Sequence, residues 1–217
     1  MKKTRHIIFL FIPALLIVGI ALFIRVIQYK PLYPTQEQLA AYNDKSLQIP
    51  ILPGDPILGE KKAPITLIAF EDFACPTCIV QSNILNQLLE KYPGQLKIIW
   101  KGLPVKTYPY NSRDAHLAAF CVHEQQQFDL FKNLAFTNSQ NLSPSIVEAI
   151  VAQIPDIDLQ KMESCLNSEP AETHVTQTEQ IATNIGIQTV PTFFINNKQV
   201  EAPATLNGWE LSLGLIK

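Results

Sequence analysis

The sequence predicts an α/β domain whose sheet is interrupted by a helical insertion and preceded by one transmembrane helix. Three observations carry that prediction. An unbroken apolar run, Ile65 to Phe70, passes through Phe73-Ala74-Cys75-Pro76-Thr77-Cys78 into a segment of helical period, Ile79 to Tyr92. A stretch of helical pattern, about 108–185, separates this unit from a second β-compatible run at Thr192-Phe193-Phe194-Ile195. Ahead of both lies an uncharged apolar segment, Ile7 to Ile24, behind a basic N-terminus.

The elements follow in order. Lys2, Lys3, Arg5 and His6 precede the apolar segment, which is broken only by Pro13 and Gly19. At about 1.5 Å per residue it reaches roughly 27 Å, enough to cross a hydrocarbon core. Positive charge ahead of the span keeps the N-terminus cytoplasmic and puts the rest of the chain outside, in a periplasmic or cell-surface setting. The rival is a cleaved signal peptide with Gly19-Ile20-Ala21 as its small-residue site. The apolar run continues through Leu22-Phe23-Ile24, which favours an uncleaved anchor; both readings export the domain. Residues 1–27 are therefore read as cytoplasmic tip and anchor, 28–55 as an extracytoplasmic tether and 56–217 as the folded domain. Pro31, Pro34, Pro50 and Pro53 mark the tether, with helical turns within 36–47.

In the domain, Asp55 to Gly59 adds a short edge strand. Ile65 to Phe70 reads as a strand covered on both faces. The next helix puts Ile84, Leu85, Leu88 and Leu89 on one side and stops at Tyr92-Pro93-Gly94. Leu96 to Trp100 is a second strand, so the crossover is right-handed and the strands parallel. Within the insertion, Asn111 and Asp114 signal a start, and Leu117, Phe120, Cys121, Phe128, Phe131 and Leu134 supply apolar faces. Ser143-Pro144 opens another helix, Asp158 caps a third, and a fourth runs from about Pro170 to Ile185, ending at Gly186. Asn196-Asn197 turns a hairpin from Thr192–Ile195 into Lys198–Val200, and Asn207 with Glu210 caps a final helix.

Composition bounds the function. With 217 residues, 47% apolar and 17% charged, the chain can bury one sizeable core, and it is expected to be a monomer. A net charge of −2 without a Lys/Arg-rich face argues against nucleic acid. Four cysteines suit an oxidising compartment.

Two of those cysteines form Cys75-Pro76-Thr77-Cys78 at a strand-to-helix junction. Three residues apart, their sulfurs share one helix face and can close a small ring. Cys75 stands at the helix start, where free N–H groups and the positive dipole end favour a thiolate. Pro76 suits the first helical position because its missing N–H would go unpaired there. This is the arrangement of dithiol–disulfide exchange, needing no cofactor beyond the cysteine pair. A zinc site would need four ligands, and Cys121, Cys165, His116, His123 and His174 form no paired knuckle, so no metal is expected. A purely structural Cys75–Cys78 disulfide is the other alternative. Asp72 reads as a loop or cap residue rather than an acid–base group, and the three histidines as helix-surface residues.

Strand–helix–strand, a helical block, then a hairpin and a helix is a thioredoxin fold with a helical insertion. Asp72 to Cys78, Leu103-Pro104, Phe120-Cys121 with Gln127-Phe128, Cys165-Leu166, and Gly186 to Asn196 resemble the DsbA-like thiol:disulfide oxidoreductases, especially their membrane-anchored bacterial branch. The resemblance covers about Pro56 to the C-terminus. It implies that the Val190–Pro191 bond is cis and lies beside the active-site sulfurs. Val190, Pro191, Pro76 and Thr77 would then meet the substrate, Val190 through its backbone. Cys121 and Cys165 are either buried free thiols or a second, structural disulfide, which an oxidising compartment favours. The sequence departs from the best-known oxidant of the family, which has a His where Thr77 stands. A neutral hydroxyl stabilises a thiolate less than a cation, so a weaker oxidant is expected.

The leading reading is an enzyme, a protein disulfide oxidoreductase. It would pass a Cys75–Cys78 disulfide to reduced or unfolded exported proteins and be reoxidised by a membrane-bound, quinone-linked oxidase. The same residues could instead run an extracytoplasmic reductase or isomerase, although isomerases of this type usually carry a dimerisation domain and the tether is too short for one. A third reading is a non-catalytic module that holds a metal or client through its sulfurs.

Overall fold

The computed structural model describes residues 18–25, 48–105 and 111–216. The chain divides into two compact units, Met1–Ser46 and Leu47–Lys217. Of the anchor assigned to residues 1–27 only 18–25 are described, and they are helical; the rest of it, and the turns expected within 36–47, lie outside the described residues. Among the described residues no helix is long and apolar enough to cross a membrane.

The second unit is built on five strands: β1 (Ile57–Gly59), β2 (Ile65–Glu71), β3 (Leu96–Gly102), β4 (Thr192–Ile195) and β5 (Lys198–Val200). Their order is β1-β3-β2-β4-β5. β2 and β3 are parallel, joined by helix α1 (Pro76–Lys91), and all other pairs are antiparallel. Parallel neighbours require such a crossover, and the apolar strands flanking α1 supply it. Asn196 and Asn197 hold the β4–β5 turn with φ of 50° and 61°, the left-handed region that Asn tolerates.

Between β3 and β4 the insertion places α2 (Arg113–Glu124), α3 (Phe128–Thr137), α4 (Pro144–Ala152), α5 (Leu159–Leu166) and α6 (Glu169–Asn184); α7 (Leu206–Ser212) follows the hairpin. The first helical block is two helices, not one, because Gln126 turns left-handed between them. Asp158 caps α5 by accepting from Gln160 N and Lys161 N, as its sequence position suggests. The cap of α7 is Thr205, whose hydroxyl accepts from Gly208 N; Asn207 lies inside the helix.

Strand alternation divides the core. Leu67, Ala69, Ile98, Trp100 and Phe193 face the side covered by α1, α7 and the insertion. Ile68, Phe70, Ile99 and Phe194 face a smaller cluster closed by Ala182 of α6 and by Ile49. Residues 48–55, assigned to the tether from sequence, thus pack on the domain: Ile49 is buried and Asp55 is fully buried against Lys101 of β3, Nζ to Oδ2 2.5 Å. His174 of α6 approaches the other Asp55 oxygen at 3.6 Å. The single Pro-rich signal could not distinguish a free tether from a strap that ends in a buried ion pair.

Removing one partner of a buried pair leaves an uncompensated charge. Asp55→Ala is therefore expected to lower stability by about 3–5 kcal/mol in urea unfolding, whereas Asp55→Leu with Lys101→Met costs much less. Equal losses in both variants would contradict the assignment of that pair.

Candidate active site

The two front cysteines owe their placement to the end of β2 and the start of α1. Cys75 is the N-cap of α1, in extended conformation (φ −93°, ψ 118°), with Pro76 following it. Its Sγ accepts from Cys78 N at 3.2 Å, so a sulfur takes the capping place usually held by a Ser, Thr or Asp oxygen. Thr77 Oγ1 lies 3.1 Å from the same sulfur. Across the site the Val190–Pro191 peptide is cis, and Val190 O stands 3.6 Å from Cys75 Sγ, close enough to accept from the thiol. The four residues named from sequence as substrate-facing, Pro76, Thr77, Val190 and Pro191, surround the front sulfur; Pro76 and Thr77 are exposed, and Val190 and Pro191 half-buried.

The sulfurs are unequal. Cys75 is partly exposed and Cys78 is fully buried. Hydrogen bonding from Cys78 and, after a partial offset by burial, from Thr77 holds the Cys75 thiol down to about 6, against an ordinary value of 9.0. Burial above all, then its hydrogen bond with Cys75 and the charge of Glu71, pushes Cys78 far upward. One sulfur is thus an accessible anion at neutral pH and the other a protonated thiol out of solvent.

Two consecutive carboxylates, Glu71 and Asp72, are buried at this junction. Asp72 is completely buried. One oxygen accepts from Ala74 N at 3.0 Å and lies 3.2 Å from His116 Nε2; the other accepts from Val105 N at 2.9 Å and Ser112 Oγ at 3.0 Å. The local cap expected from sequence is there, through Ala74, but the same side chain also ties the cysteine loop to the segment after β3 and to the start of α2. His116 is accordingly buried rather than on the helix surface, with its ring stacked on Trp100 and beside Phe73. His123 and His174 are half-buried too, and burial lowers the pKa of each. Phe73 anchors the loop beside His116, its ring 4.9 Å from Trp100, 5.7 Å from Phe131 and 5.3 Å from Phe136.

Glu71 continues the inward phase of Leu67 and Ala69 and is buried beside the cysteines. Its Oε1 has no hydrogen-bond partner among the described residues. Burial raises its pKa to about 7, and the positive charge of Lys132 only partly offsets this. Lys132 comes from α3, is itself buried, and donates to Ser82 Oγ (3.1 Å) and Asn86 Oδ1 (2.9 Å) on α1. No role was expected of Glu71 from the sequence. The available signal was a charged residue in the inward register of an otherwise apolar strand.

Cys121 and Cys165 are bonded in the structure, S–S 2.03 Å across a separation of 44 residues, joining α2 to α5. Among the described residues no group of three or more His, Cys, Asp or Glu side chains is arranged to hold a metal.

Fold and site together define a thioredoxin-type dithiol protein with a helical insertion, and comparison agrees. A family model described as thioredoxin matches residues 52–213. The chain belongs to the thioredoxin family. It is similar to disulfide bond formation protein D of Bacillus subtilis, 23% identical over 167 residues that cover 73% of this chain and 75% of that protein. It is also 26% identical over 159 residues to the Na(+)/H(+) antiporter NhaA 3 of Salinispora tropica, spanning 72% of this chain but only 24% of the antiporter. In structure it resembles oxidised BdbD of Bacillus subtilis (TM-score 0.64, 23% identity, 75% of this chain and 92% of that one). The thiol-disulfide exchange protein alpha-DsbA2 of Wolbachia pipientis gives 0.67 at 18% identity, covering 82% and 94%.

Because Glu71 titrates near 7 in the folded chain and near 4.5 when exposed, the native state holds a proton that the unfolded state releases between these values. Its stabilising contribution is complete below pH 4.5 and is lost as the pH rises through 7. Urea midpoints of the reduced protein should therefore fall between pH 4.5 and about 6, below the ionisation of Cys75, and Glu71→Gln should remove the fall. Parallel pH profiles for the two proteins would contradict the buried acid.

Proposed function

We propose that the chain is an extracytoplasmic, membrane-anchored protein disulfide oxidoreductase that donates the Cys75–Cys78 disulfide to folding exported proteins. The observation that carries this reading is the asymmetry of the two sulfurs: one half-exposed with a pKa near 6, one buried and strongly raised. In the oxidised protein a client thiolate attacks Cys75 Sγ. The Cys75–Cys78 bond breaks, a client–Cys75 disulfide forms, and Cys78 leaves with the electron pair. Its high proton affinity makes it take a proton at once, and Glu71, protonated up to about pH 7, is the buried acid beside it. A second client thiolate then attacks the client sulfur, and Cys75 departs as a thiolate that the Cys78 thiol, Thr77 and the helix tip stabilise. The client gains a disulfide and the dithiol enzyme keeps its two electrons.

Val190 and Pro191 face Cys75, and the backbone of Val190 is available to pair with an extended client segment while the sulfurs exchange. Pro76 and Thr77 form the opposite lip. The Cys121–Cys165 bond serves structure, and loop closure of that length is worth about 4 kcal/mol on the chain-entropy model. The basic residues before Ile7 and the apolar run to Ile24 support a single-pass anchor with the catalytic unit outside, within reach of a membrane-bound, quinone-linked reoxidant. The Bacillus relative's name, disulfide bond formation protein D, supports the donating direction.

Expression of Cys78→Ala is expected to accumulate disulfide-linked adducts between Cys75 and exported proteins, seen as reducible high-mass bands that Cys75→Ala lacks. Absence of adducts in the Cys78→Ala cells would overturn exchange and favour a binding module.

A further inference from the structure

A second recess lies in the helical insertion, where α2, α4 and α5 diverge around a cavity of about 540 Å³. Its floor is apolar and buried: Ala118, Val147, Val151 and Met162. Leu117, Leu159 and Leu166 wall it, and the last two are 57% and 40% exposed. Among the described residues, every charged side chain lining it is acidic, namely Asp114, Glu148 and Glu163. Among the described residues, the neighbouring cations are already engaged: Arg113 pairs with Glu172 and Glu179, and Lys161 with Asp158. The recess therefore joins an apolar floor to an unneutralised negative rim.

We propose that this groove is a docking site for a cationic amphipathic segment of a partner protein. A helix with an apolar stripe fills a groove between helices with side chains at i, i+3, i+4 and i+7, and Lys or Arg beside that stripe meets the acidic rim. The charge excludes the other occupants. An anionic membrane surface is repelled, and a second copy seated face to face opposes three carboxylates with three more. The groove is also held in shape before anything binds: the Cys121–Cys165 bond links α2 to α5 one turn along from Leu117 and Ala118 on α2 and from Met162 on α5. A preorganised wall loses less order on binding than a mobile one. The site is separate from Cys75 and does not depend on the redox reading.

The test uses the full-length protein in an uncharged detergent and two labelled helical peptides of roughly 15 residues with the same leucine stripe, one with Lys and one with Glu on the polar face. Fluorescence anisotropy should give saturable binding of the Lys peptide, weakening with salt, and none of the Glu peptide. Asp114→Asn with Glu148→Gln and Glu163→Gln should weaken it roughly tenfold or more, while neutralising Glu60, Glu90 and Glu201 elsewhere should not. Leu159→Ser with Leu166→Ser, both exposed positions, should weaken it as well. No binding of the Lys peptide, equal binding of both peptides, or equal loss on neutralising the distant carboxylates would overturn the proposal.

Discussion

One backbone N–H, that of Cys78, aimed at the sulfur of Cys75, is the contact on which the rest of the structure depends. An N-cap position leaves helix N–H groups without partners, and any anion placed there is stabilised. Filling it with sulfur instead of oxygen converts an ordinary cap into a thiolate site. Everything nearby serves to keep that sulfur at the tip: Pro76 fixes the first turn, Thr77 adds a hydroxyl, and the Val190–Pro191 segment closes the far side.

The insertion is part of this site rather than an appendage to it. Asp72 carries the cysteine loop, the segment after β3 and the start of α2 on one carboxylate, and Phe73 beds the loop among Phe131 and Phe136 of α3. Lys132 of α3 reaches the helix that bears the cysteines and supplies the positive charge felt by Glu71. Buried carboxylates require hydrogen bonds or protons, and the two neighbours divide these solutions: Asp72 is hydrogen-bonded, whereas Glu71 keeps its proton. That division sets an acid behind Cys78 and a rigid mount behind Cys75.

How much of this could be read from residues alone follows from range. Local signals were legible: the Pro76 helix start, the Asn196-Asn197 hairpin, the Asp158 cap and the unbroken apolar run of β2 all depend on neighbours in sequence. The front sulfur's place at the helix tip was legible for the same reason. What sequence concealed were long-range pairings of polar groups. Nothing local distinguishes Asp55 in a Pro-rich stretch from a solvated loop acid, yet Lys101 lies 46 residues away and fully covers it. His116 read as a surface residue because its partner, Asp72, is 44 residues away. Glu71 was hidden differently, since a charge at the end of a strand normally turns to water, and only the covering helices make it a buried acid.

Thiolate stabilisation belongs to the reduced state, so the acidity of Cys75 must appear in the equilibrium of the pair. A pKa near 6 lies between the values of about 7 and 3.5 that accompany potentials of about −270 and −120 mV in related dithiol proteins. Equilibrating Cys75–Cys78 against glutathione measures this directly. The structure predicts a potential inside that interval; a value at or below about −270 mV, or as high as about −120 mV, would contradict a front sulfur held by the Cys78 thiol, the Thr77 hydroxyl and a helix tip.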